Sequence, residues 1–226
     1  MKGTLSIVAT PIGNLADMTY RAVATLQACD TIACEDTRVT SKLLSRYDIK
    51  KPLLVFHAQS GKLSGERIIT QLGEGKHVAL VTDAGTPGIS DPGSALVRLV
   101  KDRLGEHVRI ETIPGASAVT AGLSIAGVDT AQFIFLGFLP HKKGRQTLFK
   151  EIAEEERTVV FYESPHRIEK ALASLAEVLP AKRRVVVLRE LTKIHESVVE
   201  GTAEEVLEYF EKNKTQVRGE FVVIVA

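Results

Sequence analysis

HVALVTDAGTPGISDPGSALVRLVKD, residues 77–102, carries a whole strand–turn–helix unit in one line of sequence. HVALVT is a short β-branched apolar run, and SALVRLVKD spaces its apolar residues as a helix does. The turn between them, DAGTPGISDPG, holds three glycines, two prolines and two aspartates. A surface connection needs only a glycine or two. Open parallel sheets bind ligands outside the carboxyl ends of their strands, and this over-specified turn sits at such an end.

The same alternation runs along the chain. LSIVAT (5–10), DTIACED (30–36), LLVF (53–56), HVALVT (77–82) and VRIETI (108–113) read as strands. Helical patterns at 19–29, 39–47, 62–74 and 92–104 separate them, which predicts a parallel sheet covered on both faces. The pattern restarts after Pro114-Gly115. ASAVTAGLSIAG (116–127), FIFLGF (133–138), a helix near 145–155, TVVFYE (158–163) and a helix over 165–179 come first. RVVVLRE (184–190), VVEG (198–201), AEEVLEYFEK (203–212) and EFVVIVA (220–226) follow, and the short VVEG run points to a mixed sheet. The fold class predicted is α/β, with two α/β domains at 1–113 and 114–226.

With 226 residues, 44% of them apolar and 25% charged, the chain can bury a core of useful size. No apolar run approaches the ~20 residues of a membrane helix. MKGTLSIVATPIGN reads as a first strand, too short in apolar length for a secretory segment, so the expected location is the cytoplasm. Cys29 and Cys34 read as buried thiols, and no metal site is expected. A net charge of +1 gives no global basic field. HKKGR (141–145) and AKRR (181–184) are compact local basic clusters, with a solvated loop and a helix-end charge complement as the plainer readings.

Two further turns resemble the first in chemistry. TPIGNL (10–15) and IPGASA (113–118) also lie at strand ends, and glycine lets backbone approach a ligand closely. The third turn opens a helix of small residues whose first amides suit a carboxylate or phosphate. Tight turns and close packing account for each one separately. Together they favour a cleft for a small polar ligand held mostly by backbone. No G-x-G-x-x-G follows the first strand, no phosphate-loop or G-x-S-x-G spacing occurs, and no ligand cluster has metal spacing.

TPIGNLADMTYRA, CEDTR, DAGTPGISDPG, IPGASA, FLGFLP, FYESPHR and RELTKIHE, in that order, resemble the tetrapyrrole-methylase-like family of S-adenosylmethionine-dependent methyltransferases. The likeness spans essentially the whole chain and is strongest to the branch that 2′-O-methylates a cytidine ribose in 16S ribosomal RNA. The resemblance implies an S-adenosylmethionine cleft between the two domains, a homodimer, no metal, and the small ribosomal subunit as substrate. It places Pro11, Gly13, Asp83, Gly85, Thr86, Pro87, Ser117 and Ala118 on the cofactor, with Tyr162, Glu163, Leu191, Gly219 and Glu220 from the second domain. Members of this branch often carry a further C-terminal helical region, whereas this chain stops at EFVVIVA.

Within that resemblance, the charged motifs supply the chemistry. Glu190 or a deprotonated Lys193 is the candidate to take the ribose proton. Arg38, Arg167 and Arg189 are candidates to grip phosphates, joined at the rim by Lys142, Lys143 and Arg145, with AKRR beside them. Each of these charged residues reads equally as half of an interdomain or dimer-interface ion pair. Asn14 reads either as a base- or ribose-reading amide or as a left-handed turn residue. Asp91 reads as a brace bonding its own turn's amides. A tetrapyrrole substrate, or a non-catalytic cofactor-binding module in ribosome assembly, are the competing functions.

Overall fold

The structure is a computed structural model describing residues 2–57 and 61–226, and it divides into two compact units, Met1–Ser117 and Ala118–Ala226. The division falls after Ser117 instead of after Ile113 because the intervening turn packs within the first unit. The Ala116 carbonyl accepts the Thr86 hydroxyl at 3.1 Å, and a Cβ on Gly115 would stand 3.0 Å from the Ala9 Cβ.

The first unit contains β1 (Gly3–Val8), α1 (Tyr20–Ala28), β2 (Thr31–Cys34), α2 (Thr37–Arg46), β3 (Leu53–Val55), α3 (Gly61–Gly73), β4 (His77–Leu80), α4 (Gly93–Leu104) and β5 (Val108–Ile113). All its strand pairs are parallel, in the order β3-β2-β4-β1-β5. Leu5, Ala33, Val78 and Leu80 pack with Ile68, Leu72, Leu96 and Val100 of α3 and α4. Val8, Ile32, Ala79 and Val81 pack with Ala22, Leu26 and Leu44 of α1 and α2. Both faces are therefore covered, as near-continuous apolar strands require. Gly3 lets α3 lie close, since a Cβ there would stand 2.1 Å from the Leu72 carbonyl oxygen. Thr19 and Asp36 cap α1 and α2 by accepting the amides of Ala22 and Arg38.

The second unit contains α5 (Ala118–Ala126), β6 (Phe133–Phe138), α6 (Arg145–Glu154), β7 (Thr158–Glu163), α7 (Ile168–Val178), β8 (Val185–Arg189), β9 (Ser197–Gly201), α8 (Ala203–Lys212) and β10 (Phe221–Val225). Its order is β6-β7-β10-β8-β9. Only β6 and β7 run parallel, so the sheet is mixed. One face packs against α6, α7 and α8 through Phe149, Leu172, Val206 and Phe210. On the other, α5 approaches closely at Gly122, where a Cβ would meet Val222 and Leu188 side chains at 3.4 and 3.5 Å. Packing thus explains part of that helix's small-residue composition. α7 begins at Ile168 rather than 165 because Ser164 first closes a turn, its carbonyl accepting the amides of Arg167 and Ile168.

Cys29 and Cys34 are free and buried. Burial pushes the Cys29 thiol up to about 11, so it is an inert core group at neutral pH. Among the described residues, no helix is long and apolar enough to cross a membrane.

Candidate functional site

In the first unit, the three glycine turns meet at one sheet edge. Thr10, just past β1, exchanges both backbone hydrogen bonds with Gly85, at 2.9 and 3.1 Å. Its hydroxyl donates to the Thr82 carbonyl at 3.1 Å. Gly85 has φ +84°, a conformation that a side chain at this position would strain. The Thr86–Ala116 bond then ties the second turn to the third. Pro11, Gly85 and Pro87 are buried beneath this edge, Gly13 and Asp83 are exposed on it, and Ser117 and Ala118 are half-buried.

Asp91 holds the long turn from inside. Its Oδ1 accepts the amides of Gly88 at 2.7 Å and Gly93 at 2.6 Å. CEDTR joins the same edge from β2. The Asp36 amide donates to Asp83 Oδ1 at 3.3 Å, and Thr82 donates to Glu35. Desolvation, and then the neighbouring Asp36, raise the Asp83 carboxyl above its usual value, against the Asp36 amide. Glu35 is one of the charged residues that the CEDTR motif supplies, whereas Thr10 is a site-building residue to which the sequence reading gave no role. Thr10 flanks a strand end, which is the signal that would have found it.

In the second unit, RELTK and the start of β10 form one cluster. Lys193 Nζ lies 2.8 Å from Glu190 Oε1 and 2.9 Å from Glu220 Oε2. Glu190 Oε1 also accepts the Glu220 amide at 3.0 Å, and the Glu190 amide donates to the Glu220 carbonyl at 2.9 Å. Glu190 and Thr192 both have positive φ, at 54° and 67°. Such values in non-glycine residues persist only where surrounding contacts over-determine them. Gly219, at φ +83°, makes room, because a Cβ there would stand 2.2 Å from the Glu190 carboxyl carbon.

This geometry corrects the expectation of a neutral Lys193. Burial pulls its ammonium down, but the two carboxylates outweigh that and raise it above the ordinary amine value. Burial likewise opposes the charge on Glu190, yet Lys193 and the Glu220 amide hold its carboxyl below the usual range. Lys193 is a cation at neutral pH, bridging two anions.

Glu163 also has another role than cofactor contact. Its carboxylate is fully buried and meets Arg145 at 2.9 Å and Arg167 at 2.8 Å. The same two arginines donate to the carbonyls of Pro140 and Leu139, at 3.1 and 2.9 Å. Arg145 and Arg167 therefore fix the loop after β6 instead of reaching for phosphate. Arg189 is buried too, donating to Ser197 Oγ at 3.2 Å and the His195 carbonyl at 3.0 Å, which braces the loop between β8 and β9. Tyr162 packs edge-on against Phe135 and Phe138 at 4.9 and 5.4 Å, with its hydroxyl pushed up to about 12 by burial. Leu191 is buried.

The basic clusters separate. Lys142 and Lys143 are exposed just past β6, on the edge that carries Glu190. AKRR lies at the start of β8, across the sheet from Glu190, where Arg184 bonds the Gly127 carbonyl at 3.1 Å and pairs with Glu200. It braces that far edge and does not join the rim. Arg38 is exposed but forked onto Asp36. Asn14, at φ −107°, is extended rather than left-handed, and its side chain caps the turn Leu15–Asp17 by accepting the Ala16 amide. Among the described residues, no group of His, Cys, Asp and Glu could hold a metal ion.

The chain is similar over nearly its whole length to proteins of known structure and to curated relatives. A cobalt precorrin-4 methyltransferase structure superposes with a TM-score of 0.69 at 18% identity, covering 100% of this chain and 95% of that one. A uroporphyrin-III C-methyltransferase from Thermus thermophilus gives 0.64, also at 18%, covering 98% and 94%. Identities this low speak for the fold alone. Curated relatives are much nearer. The ribosomal RNA small subunit methyltransferase I of Xylella fastidiosa is 46% identical over 99% of this chain and 81% of its own length. That of Thermotoga maritima is 43% identical over 99% and 98%. The family model for tetrapyrrole (corrin/porphyrin) methylases matches residues 4–207, and the chain belongs to that family.

Proposed function

We propose that this protein is an S-adenosylmethionine-dependent methyltransferase of small-subunit ribosomal RNA, acting on the 2′-hydroxyl of one cytidine ribose. The observation that carries the reading is near-full-length identity, above 40%, to relatives bearing the name ribosomal RNA small subunit methyltransferase I. The chemistry of the turn edge fits the cofactor. Asp83 offers an exposed carboxylate to an ammonium or to ribose hydroxyls, and the Gly85 and Ser117 regions offer backbone at close approach. Pro11, Gly13, Thr86 and Pro87 belong to the same edge and are assigned to the cofactor with it; within the second unit, Ala118, Tyr162, Leu191, Gly219 and Glu220 are assigned to it as well.

Bound S-adenosylmethionine supplies an electrophilic methyl group for in-line displacement. What the chain must add is a ribose oxygen held ~3–3.5 Å from that carbon, and an acceptor for its proton. Lys193, as a fixed cation, orients and polarises. A carboxylate of its cluster, Glu190 or the more exposed Glu220, takes the proton. Lys142, Lys143, Arg38 and Asn14 are the exposed groups assigned to RNA. The protein works in the cytoplasm as a homodimer, for which the exposed Phe133 and Phe138 of edge strand β6 supply apolar surface.

The test is transfer of labelled methyl from S-adenosylmethionine to small subunits from a strain lacking the modification, with ribose-specific mapping. Label on a single ribose is expected, and weaker labelling of naked 16S RNA. Cofactor binding without any transfer would replace this reading with the binding-module one.

A further inference from the structure

Thr37–Arg46 holds three cations and no carboxylate. Arg38, Lys42 and Arg46 are four residues apart, so they share one helix face at steps of about 6 Å. All three are exposed, while Thr40, Leu43 and Leu44 face the core. Arg38 is tied to Asp36, but among the described residues no ion pair reaches Lys42 or Arg46.

The ridge continues into an aromatic surface. The Arg46 guanidinium lies 6.0 Å from the Tyr47 ring centre, and the Tyr47 hydroxyl donates to the Leu15 carbonyl. That bond anchors the turn leading into α1, whose first residue, Tyr20, is 98% exposed and is followed by exposed Arg21. A single exposed ring is ordinary. An exposed ring and unpaired cations joined by a clamped turn make the arrangement that single-stranded nucleic acid uses, with cations on phosphates and a ring under a base. A lipid surface would need the apolar face of α2, and Leu43 and Leu44 have already buried that face in the core.

We propose that the α2 ridge, with Tyr20 and Arg21, is a second RNA-docking surface. Lys42 and Arg46 contact backbone phosphates, and Tyr20 stacks on an unpaired base. The assignment rests on the ribosomal RNA reading above.

Binding of the full chain to small ribosomal subunits, with S-adenosylmethionine present, is measured across a salt series. The Lys42→Ala/Arg46→Ala double variant is expected to lower the slope of log affinity against log salt by about 1.4, at about 0.7 per phosphate contact. Lys42→Arg keeps the slope. Tyr20→Ala weakens binding roughly tenfold at unchanged slope. Lys101→Ala, an exposed cation on α4, changes neither quantity. Unaltered affinity for S-adenosylmethionine shows that each variant is folded. Wild-type salt slope in the double variant, beside normal methylation by the wild type, overturns this surface alone. A wild type that neither binds nor labels subunits overturns the underlying reading as well.

Discussion

Lys193 keeps its charge because two carboxylates and an ordered turn surround it. With its folded value raised, the stabilisation it gives is fully present below the unfolded amine value and is lost only as pH rises through the folded one. The Glu190 contribution is the mirror case. It is present above the unfolded carboxyl value and lost as pH falls through the lowered folded one. The clamp therefore holds throughout the neutral range. Methyl transfer is expected to stay flat from about pH 7 to 9, with no amine limb, Lys193→Arg retaining far more activity than Lys193→Met. A rate still climbing above pH 9 would restore a neutral amine as the base. Glu163 makes a separate stability prediction. Glu163→Gln leaves Arg145 and Arg167 facing a neutral group, and urea unfolding should show a loss of about 3 kcal/mol. A loss below about 1 kcal/mol would put the trio with surface ion pairs. The identities of these residues stood out in ESPHR, HKKGR and RELTK. Their roles did not, because Glu163 reads as readily toward a ligand as toward Arg167 four residues on, and its second partner, Arg145, lies in a separate motif.

At the scale of elements, turn 83–93 depends on one side chain. Asp91 Oδ1 takes two amides, whereas its Oδ2 is buried with no hydrogen-bond partner. Asp91→Asn keeps the first oxygen and is expected to preserve cofactor affinity within about threefold. Asp91→Ala orphans both amides and should weaken it at least tenfold, about 1.4 kcal/mol by calorimetry. Equal affinities in the two variants would show that the turn holds without this brace. Strand and helix positions were legible in hydrophobic period, and the Asp91 role in the turn's composition. The short 3-10 turns Leu15–Asp17, Gly105–His107 and Lys214–Gln216 were not, since three residues are too few to show a period. α2 begins earlier than its apolar pattern because Asp36 caps it at a polar stretch.

Across the whole molecule, each unit has its own core, and the second is organised around β10. Phe221–Val225 is buried throughout and pairs with both β7 and β8. Val223→Asp places a charge among Val, Ile and Phe side chains with no partner, so the second unit should unfold. Limited proteolysis is expected to digest residues beyond 117 while the first unit resists. Simultaneous loss of both units would show that neither core stands alone. The parallel first sheet followed from regular strand–helix alternation. The central place of β10 did not, because strand order depends on which edges remain to be paired, and local pattern carries no record of that.

The position of β10 also bears on how the protein is made. During synthesis, β7 and β8 emerge with facing edges that only a later strand can fill. Domains tend to fold from the N-terminus as they leave the ribosome, so the first unit can close while the second waits. Until residues 221–225 clear the exit channel, two apolar strands stand with open backbone edges, the state most exposed to mispairing with neighbouring chains. Glu220 and Gly219 directly precede that strand. The Lys193 cluster therefore cannot assemble before the sheet closes, so its carboxylates and ammonium come together only after the last strand has been placed.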